Sequence, residues 1–180
     1  MSLIPPVQDR DHVQGPASAP VTLVEYGDYQ CPYCGAAHSV VQALQARFGD
    51  ELRFVFRNFP LTQVHPYAEH AAEAAEAAGS ESADTFWAMH DTLFEHQNAL
   101  HDRDLVRYAE SVGVAGSVIV QALESHAFLP RVKSDFMSGV RSGVNGTPSF
   151  FINGAKYDGS NDFESLSAAL QAASPSGHRR

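Results

Sequence analysis

Polar and apolar positions divide the chain into three stretches of different character. Val21 to Tyr26 is a short, almost unbroken apolar run, the pattern of a buried strand. Pro32 to Phe48 carries its apolar residues at helical spacing, and Gly49-Asp50 ends it. Over Glu51–Asn58, Leu52, Phe54 and Phe56 alternate with Arg53, Val55 and Arg57, which predicts a second strand, broken by Phe59-Pro60-Leu61. The next stretch is helical throughout. Pro66–Ala78 is Ala-rich, stops at Gly79, and carries Glu69, Glu73 and Glu76 along one face, which reads as solvated. Asp84–Gln97 places Phe86, Met89, Leu93 and Phe94 at helical spacing beside Trp87, a core stripe. Asp102 is the expected cap of a helix bearing Leu105, Tyr108, Ala109 and Val112 and ended by Gly113. Ser117–His126 and Arg131–Ser142 are two further helical segments. After Gly143 the strand pattern returns. Ser149–Ile152, Asn153-Gly154 and Ala155–Asp158 predict a hairpin with a type I′ turn, and Asp162–Ala173 a last helix with Phe163, Leu166 and Leu170 inward.

The order is β-α-β, a helical block, then β-β-α, an α/β chain. Residues 1–20 read as an N-terminal arm, 21–62 and 144–173 as the core, 63–143 as a helical insertion and 174–180 as a frayed tail.

The net charge of −9 disfavours nucleic acid or an anionic membrane surface as partner. No apolar run approaches the ~20 residues of a membrane span, so no membrane insertion is expected. Residues 1–20 hold no basic segment followed by an apolar one, so no signal peptide is visible and the chain reads as cytoplasmic. A leader removed ahead of Met1-Ser2-Leu3 would make it periplasmic or extracytoplasmic instead.

Chemistry concentrates at residues 25–38, which hold the only two cysteines, Cys31 and Cys34. They lie between the first strand and the first helix. A helix N-terminus offers unpaired N–H groups and a partial positive charge, which favour a thiolate. A low thiol pKa makes a cysteine reactive at neutral pH. Pro32 suits the first helical position. A structural disulfide here would close too short a loop to stabilise much. Half of a zinc site would need partners, yet there is no second CxxC and no His-x3-His among the nine histidines, so no metal is expected. Two inert buried thiols remain the blandest alternative to a redox pair.

These features resemble the DsbA-like thiol–disulfide oxidoreductases. The resemblance is carried by Ala19–Tyr26 leading into Cys31-Pro32-Tyr33-Cys34, by Phe54–Leu61, by Phe86-Trp87-Ala88-Met89-His90, and by Gly143–Gly154 with its Gly146-Thr147-Pro148. It implies a thioredoxin-like fold with a helical insertion, Cys31 as exposed nucleophile, Cys34 as the more buried resolving thiol, and a cis Pro148 beside the dithiol. Glu25 falls where the family carries a buried acid. The Pro-Tyr dipeptide departs from the Pro-His of the family's strongest oxidant, because Tyr33 adds no positive charge.

The expected activity is exchange of disulfides with protein or peptide thiols, in the manner of a DsbA-like oxidase, with no cofactor and with a separate redox partner. Cys31, Cys34 and Glu25 are the expected catalytic residues. Pro32, Tyr33, Thr147 and Pro148 are the expected substrate-binding ones, and Tyr29 and Tyr33 are expected to flank the site as apolar surface. A reductase or isomerase of the same fold, or a non-redox peptide-binding or chaperone module, are the competing functions. Small-molecule transferase relatives of the fold lack the CxxC pair.

Overall fold

The computed structural model describes residues 1–175, so most of the expected tail, 174–180, lies outside the described residues. The chain forms two compact units, Met1–Gly27 with Ala36–Arg57 and Ser138–Arg180, and Asp28–Gly35 with Asn58–Met137.

The first unit is built on a five-stranded sheet of order β1-β3-β2-β4-β5. Its strands are β1 (His12–Gln14), β2 (Val21–Gly27), β3 (Leu52–Asn58), β4 (Ser149–Ile152) and β5 (Ala155–Tyr157). Every residue of β2 is buried, as its apolar run requires of a central strand. β4 pairs antiparallel with β2, Leu23 opposite Ile152 and Tyr26 opposite Ser149. The β4–β5 turn has positive φ at both Asn153 (48°) and Gly154 (83°), the geometry of a type I′ turn. The first helix, α1 (Pro32–Phe48), follows β2. The last, α7 (Phe163–Ala173), is capped by the Asp162 carboxylate, which accepts the Ser165 N–H at 2.8 Å. It packs on β2 and β4 with Leu166 and Leu170 fully buried.

The arm is more structured than its polar sequence suggests. It contributes β1, which pairs antiparallel with β3 and sets Val13 opposite Val55. The predicted two-faced alternation of β3 is absent, for Val55 and Arg57 are as buried as Phe54 and Phe56. Arg57 is accommodated because its donors are met. Nε and Nη2 hold Asp11 in a bidentate pair at 2.9 and 2.8 Å, Nη1 donates to the Tyr26 hydroxyl at 2.9 Å, and Nη1 and Nη2 reach the carbonyls of Pro5 and Pro6. Burial opposes the charge, but the Asp11 and Tyr26 hydrogen bonds outweigh it and raise the guanidinium pKa.

The second unit contains α2 (Ala68–Gly79), α3 (Ala83–Glu95), α4 (Asp102–Ser111), α5 (Gly116–Ser125) and the first residues of α6 (Leu129–Arg141). α2 is central to it, touching α3, α4 and α5, and its alanines let those helices approach closely. Phe86, Trp87, Met89, Leu93 and Phe94 of α3 are core, as their spacing predicts. Two local expectations are corrected. Glu73 and Glu76 are not solvated but buried, because each meets a donor from a distant segment, His126 Nδ1 at 3.0 Å and Asn58 Nδ2 at 2.8 Å. Asp102 is the first residue of α4 rather than its cap. The cap is His101, whose N–H donates to Asp104 at 3.1 Å, while the Asp102 carboxylate meets His70 Nδ1 at 2.7 Å.

Arg57→Ala is expected to lower the unfolding free energy by ~3–5 kcal/mol, since it strands the buried Asp11 carboxylate. The double variant Asp11→Leu/Arg57→Met should recover most of that loss, and urea denaturation of the three proteins measures both.

Candidate active site

The dithiol lies in the second unit, where Asp28–Gly35 follows the end of β2. Cys31 directly precedes α1, and its carbonyl accepts the Gly35 N–H at 3.1 Å, the first helical hydrogen bond. Cys34 is one turn inside. Both are free thiols, and both are buried, Cys31 3 % exposed and Cys34 0 %. The order of access is the one the resemblance implies, but Cys31 is not exposed. Tyr33, between them, is 75 % exposed, and Pro32 is exposed beside it.

A buried carboxylate sets the shape of this loop. Asp28 Oδ1 accepts the N–H groups of Gln30 at 2.8 Å and Cys31 at 3.1 Å. Its Oδ2 accepts the N–H of Leu61 at 2.8 Å and lies 2.8 Å from His65 Nδ1. The backbone carbonyl of Asp28 also accepts from Cys31 N–H, so residues 28–31 form a closed turn leading into the helix. The Asp28 N–H points the other way and donates to Cys34 Sγ at 3.5 Å. An N–H aimed at sulfur favours the thiolate over the thiol.

The outer side of the loop is held by Gln97. Its Nε2 donates to the carbonyls of Tyr29 at 3.0 Å and Cys31 at 2.8 Å. Position 35 is glycine for a local reason, because a Cβ there would run into the Gln97 side chain. Gln30 accepts the Tyr67 N–H at 2.8 Å. Tyr29 does not flank the site as surface. It is buried, its hydroxyl 2.9 Å from His90 Nδ1 and its ring against Phe94.

The remaining predicted site residues belong to the first unit. Glu25 is buried on β2 opposite Phe150 of β4. Thr147-Pro148 enters β4 directly before Ser149, and its peptide bond is cis, as the resemblance implies. Pro32, Tyr33 and the two cysteines thus share the second unit, whereas Glu25, Thr147 and Pro148 share the strand ends of the first.

Sequence reasoning missed Asp28, His65 and Gln97. An Asp three residues before Cys31, between strand and helix, is a turn- and cap-forming pattern that could have revealed the first. His65 and Gln97 reach the loop from far along the chain, and no local pattern marks them.

The family model described as Thioredoxin matches residues 8–172. The chain belongs to the thioredoxin family. Within it, the fold and the CxxC pair are those of the DsbA-like thiol–disulfide oxidoreductases. Oxidised BdbD from Bacillus subtilis superposes with a TM-score of 0.84 at 26 % identity, covering 91 % of this chain and 92 % of that one. A thioredoxin-like oxidoreductase from Silicibacter pomeroyi gives 0.78 at 28 % identity, covering 92 % and 93 %. Over 171 residues the chain is also 47 % identical to a protein named Na(+)/H(+) antiporter NhaA 1 from Salinispora arenicola, covering 95 % of this chain but 26 % of that protein. The chain thus spans about a quarter of the length of the curated relatives it matches. Among the described residues no helix is long and apolar enough to cross a membrane.

The expectation of a cytoplasmic protein is overturned by these likenesses, because the DsbA-like neighbours are periplasmic or extracytoplasmic oxidoreductases. Disulfides persist where thiols are not held reduced, and the composition of residues 1–20 does not report on that.

Asp28→Ala removes the acceptor of the Gln30 and Leu61 N–H groups, each costing ~1–3 kcal/mol when buried unpaired, and the carboxylate that meets His65, while the Cys31 N–H keeps the backbone carbonyl of residue 28. The expected result is a stability loss of ~3 kcal/mol or more in urea denaturation, with faster alkylation of Cys31 in the native protein. Unchanged stability would show that other groups shape the loop.

Proposed function

We propose that the Cys31–Cys34 pair exchanges disulfides with protein or peptide substrates, working mainly as an oxidase. The observation that carries this reading is the dithiol at the start of α1 with the Asp28 N–H directed at Cys34 Sγ. Starting from the Cys31–Cys34 disulfide, a substrate thiolate attacks Cys31 Sγ. The internal S–S bond breaks, Cys34 leaves as a thiolate, and a substrate–Cys31 disulfide forms. A second substrate thiolate attacks the substrate sulfur of that bond and releases Cys31. The substrate thereby loses two electrons and two protons, and the protein holds both electrons as a dithiol. A separate redox partner removes them, and no cofactor is required.

Other residues support these steps. The helix N-terminus, where the field is strongest, favours the Cys31 thiolate that the second step releases. Glu25 gives or takes the proton of Cys34. Pro32 and exposed Tyr33 offer an apolar contact to an extended substrate, and the backbone of Thr147-Pro148 pairs with it as an added strand. In this reading 21–62 and 144–173 form the thioredoxin-like core, and 63–143 is the helical insertion. The identity to the Salinispora arenicola protein supports viewing the chain as an exchange domain that proteins named as antiporters also contain; transport is not assigned to it.

Titration in glutathione buffers tests the reading. Tyr33 supplies no cation to the thiolate, so the expected potential lies between ~−270 mV for thioredoxin and ~−120 mV for DsbA, both reference values. Tyr33→His should shift it toward the oxidising end. Cys34→Ser should accumulate mixed disulfides through Cys31, and Cys31→Ser should be inactive. Thiols that show no reversible two-electron transition would leave a peptide-binding module as the better account.

A further inference from the structure

The second unit holds a cluster that the thiol chemistry does not use. His70 and Glu73 lie three residues apart on α2, so their side chains share a face. His126 ends α5 with a left-handed backbone (φ 52°, ψ 34°), and its imidazole meets the carboxylate of Glu73. One donor atom from each of the three residues lies within 4.8 Å of the other two.

Two observations distinguish this cluster from an ordinary ion pair. The Glu73 side chain is 0 % exposed, yet only Oε1 is engaged, by His126 Nδ1 at 3.0 Å, while Oε2 has no hydrogen-bond partner. A buried carboxylate oxygen left without a donor is costly, and a cation satisfies it. His70 Nδ1 is 2.7 Å from Asp102 Oδ1. A carboxylate only accepts, so in the neutral imidazole this contact places the proton on Nδ1 and the lone pair on Nε2. The same carboxylate–histidine arrangement orients metal-bound imidazoles.

We propose that His70, Glu73 and His126 bind a divalent transition-metal cation, Zn²⁺ by preference, with Asp102 orienting His70. Two imidazoles and one carboxylate suit zinc, and water completes a four-coordinate shell. Glu73 and Asp102 together balance the dication. The ion joins α2, α5 and the start of α4, so its effect is on the helical unit and is independent of the disulfide-exchange reading.

The test uses the full chain, free of any affinity tag and in its disulfide form, so that Cys31 and Cys34 offer no thiolates. Calorimetric titration with Zn²⁺ should give one ion per chain with a dissociation constant below ~10 μM, and saturation should raise the melting temperature by ~5 °C. Co²⁺ should give the visible absorption of a four-coordinate site and be displaced by Zn²⁺. His126 is half-exposed, so His126→Ala should retain the native circular dichroism spectrum while weakening Zn²⁺ at least ~100-fold. Asp102→Asn should weaken it ~10–100-fold, the range for loss of an orienting partner. A wild-type dissociation constant above ~100 μM, or affinity unchanged in folded His126→Ala, overturns the proposal.

Discussion

The dithiol loop depends on one buried carboxylate. Asp28 binds the N–H groups of Gln30, Cys31 and Leu61 and meets His65, so four separate groups are located by two oxygen atoms. Such a hub has little freedom, since any movement lengthens several bonds at once. Gln97 restrains the same loop through its carbonyls, while the side chains of Pro32 and Tyr33 face outward. Rigid backbone around a reactive sulfur means that exchange does not have to order the loop first.

The first unit solves a similar problem with the opposite charge. Arg57 holds the carbonyls of Pro5 and Pro6 and the carboxylate of Asp11, so a polar arm with few apolar residues is tied to the sheet by hydrogen bonds. Each unit therefore organises irregular backbone with a buried ionic group whose valences are shared among many partners. Such groups offset their desolvation only when nearly every donor or acceptor is met.

What was legible in the sequence follows from this. The bounds of α1 and the Asn153-Gly154 hairpin were plain, because periodicity and turn chemistry are local. The CxxC pair was plain because spacing alone defines it. β1 was not, since three residues of an edge strand leave no period to detect. Glu73 and Glu76 looked solvated because a carboxylate's burial is decided by its donor, and His126 and Asn58 lie far along the chain. The hydroxyl of Tyr29 is accommodated in the core in the same way, by His90. A His-x3-His spacing does not mark His70 and Glu73 either, because His126, which lies near them, ends a different helix.

The strand order carries a consequence for synthesis. β2 is made before α1–α6, yet its neighbour β4 follows all of them. The last residue of the second unit is made at Met137, whereas the sheet must then still wait for β4, β5 and α7. Until those arrive, β2 has an open edge able to pair with another chain. The cysteines are therefore made, and can react, before the sheet of the first unit is closed.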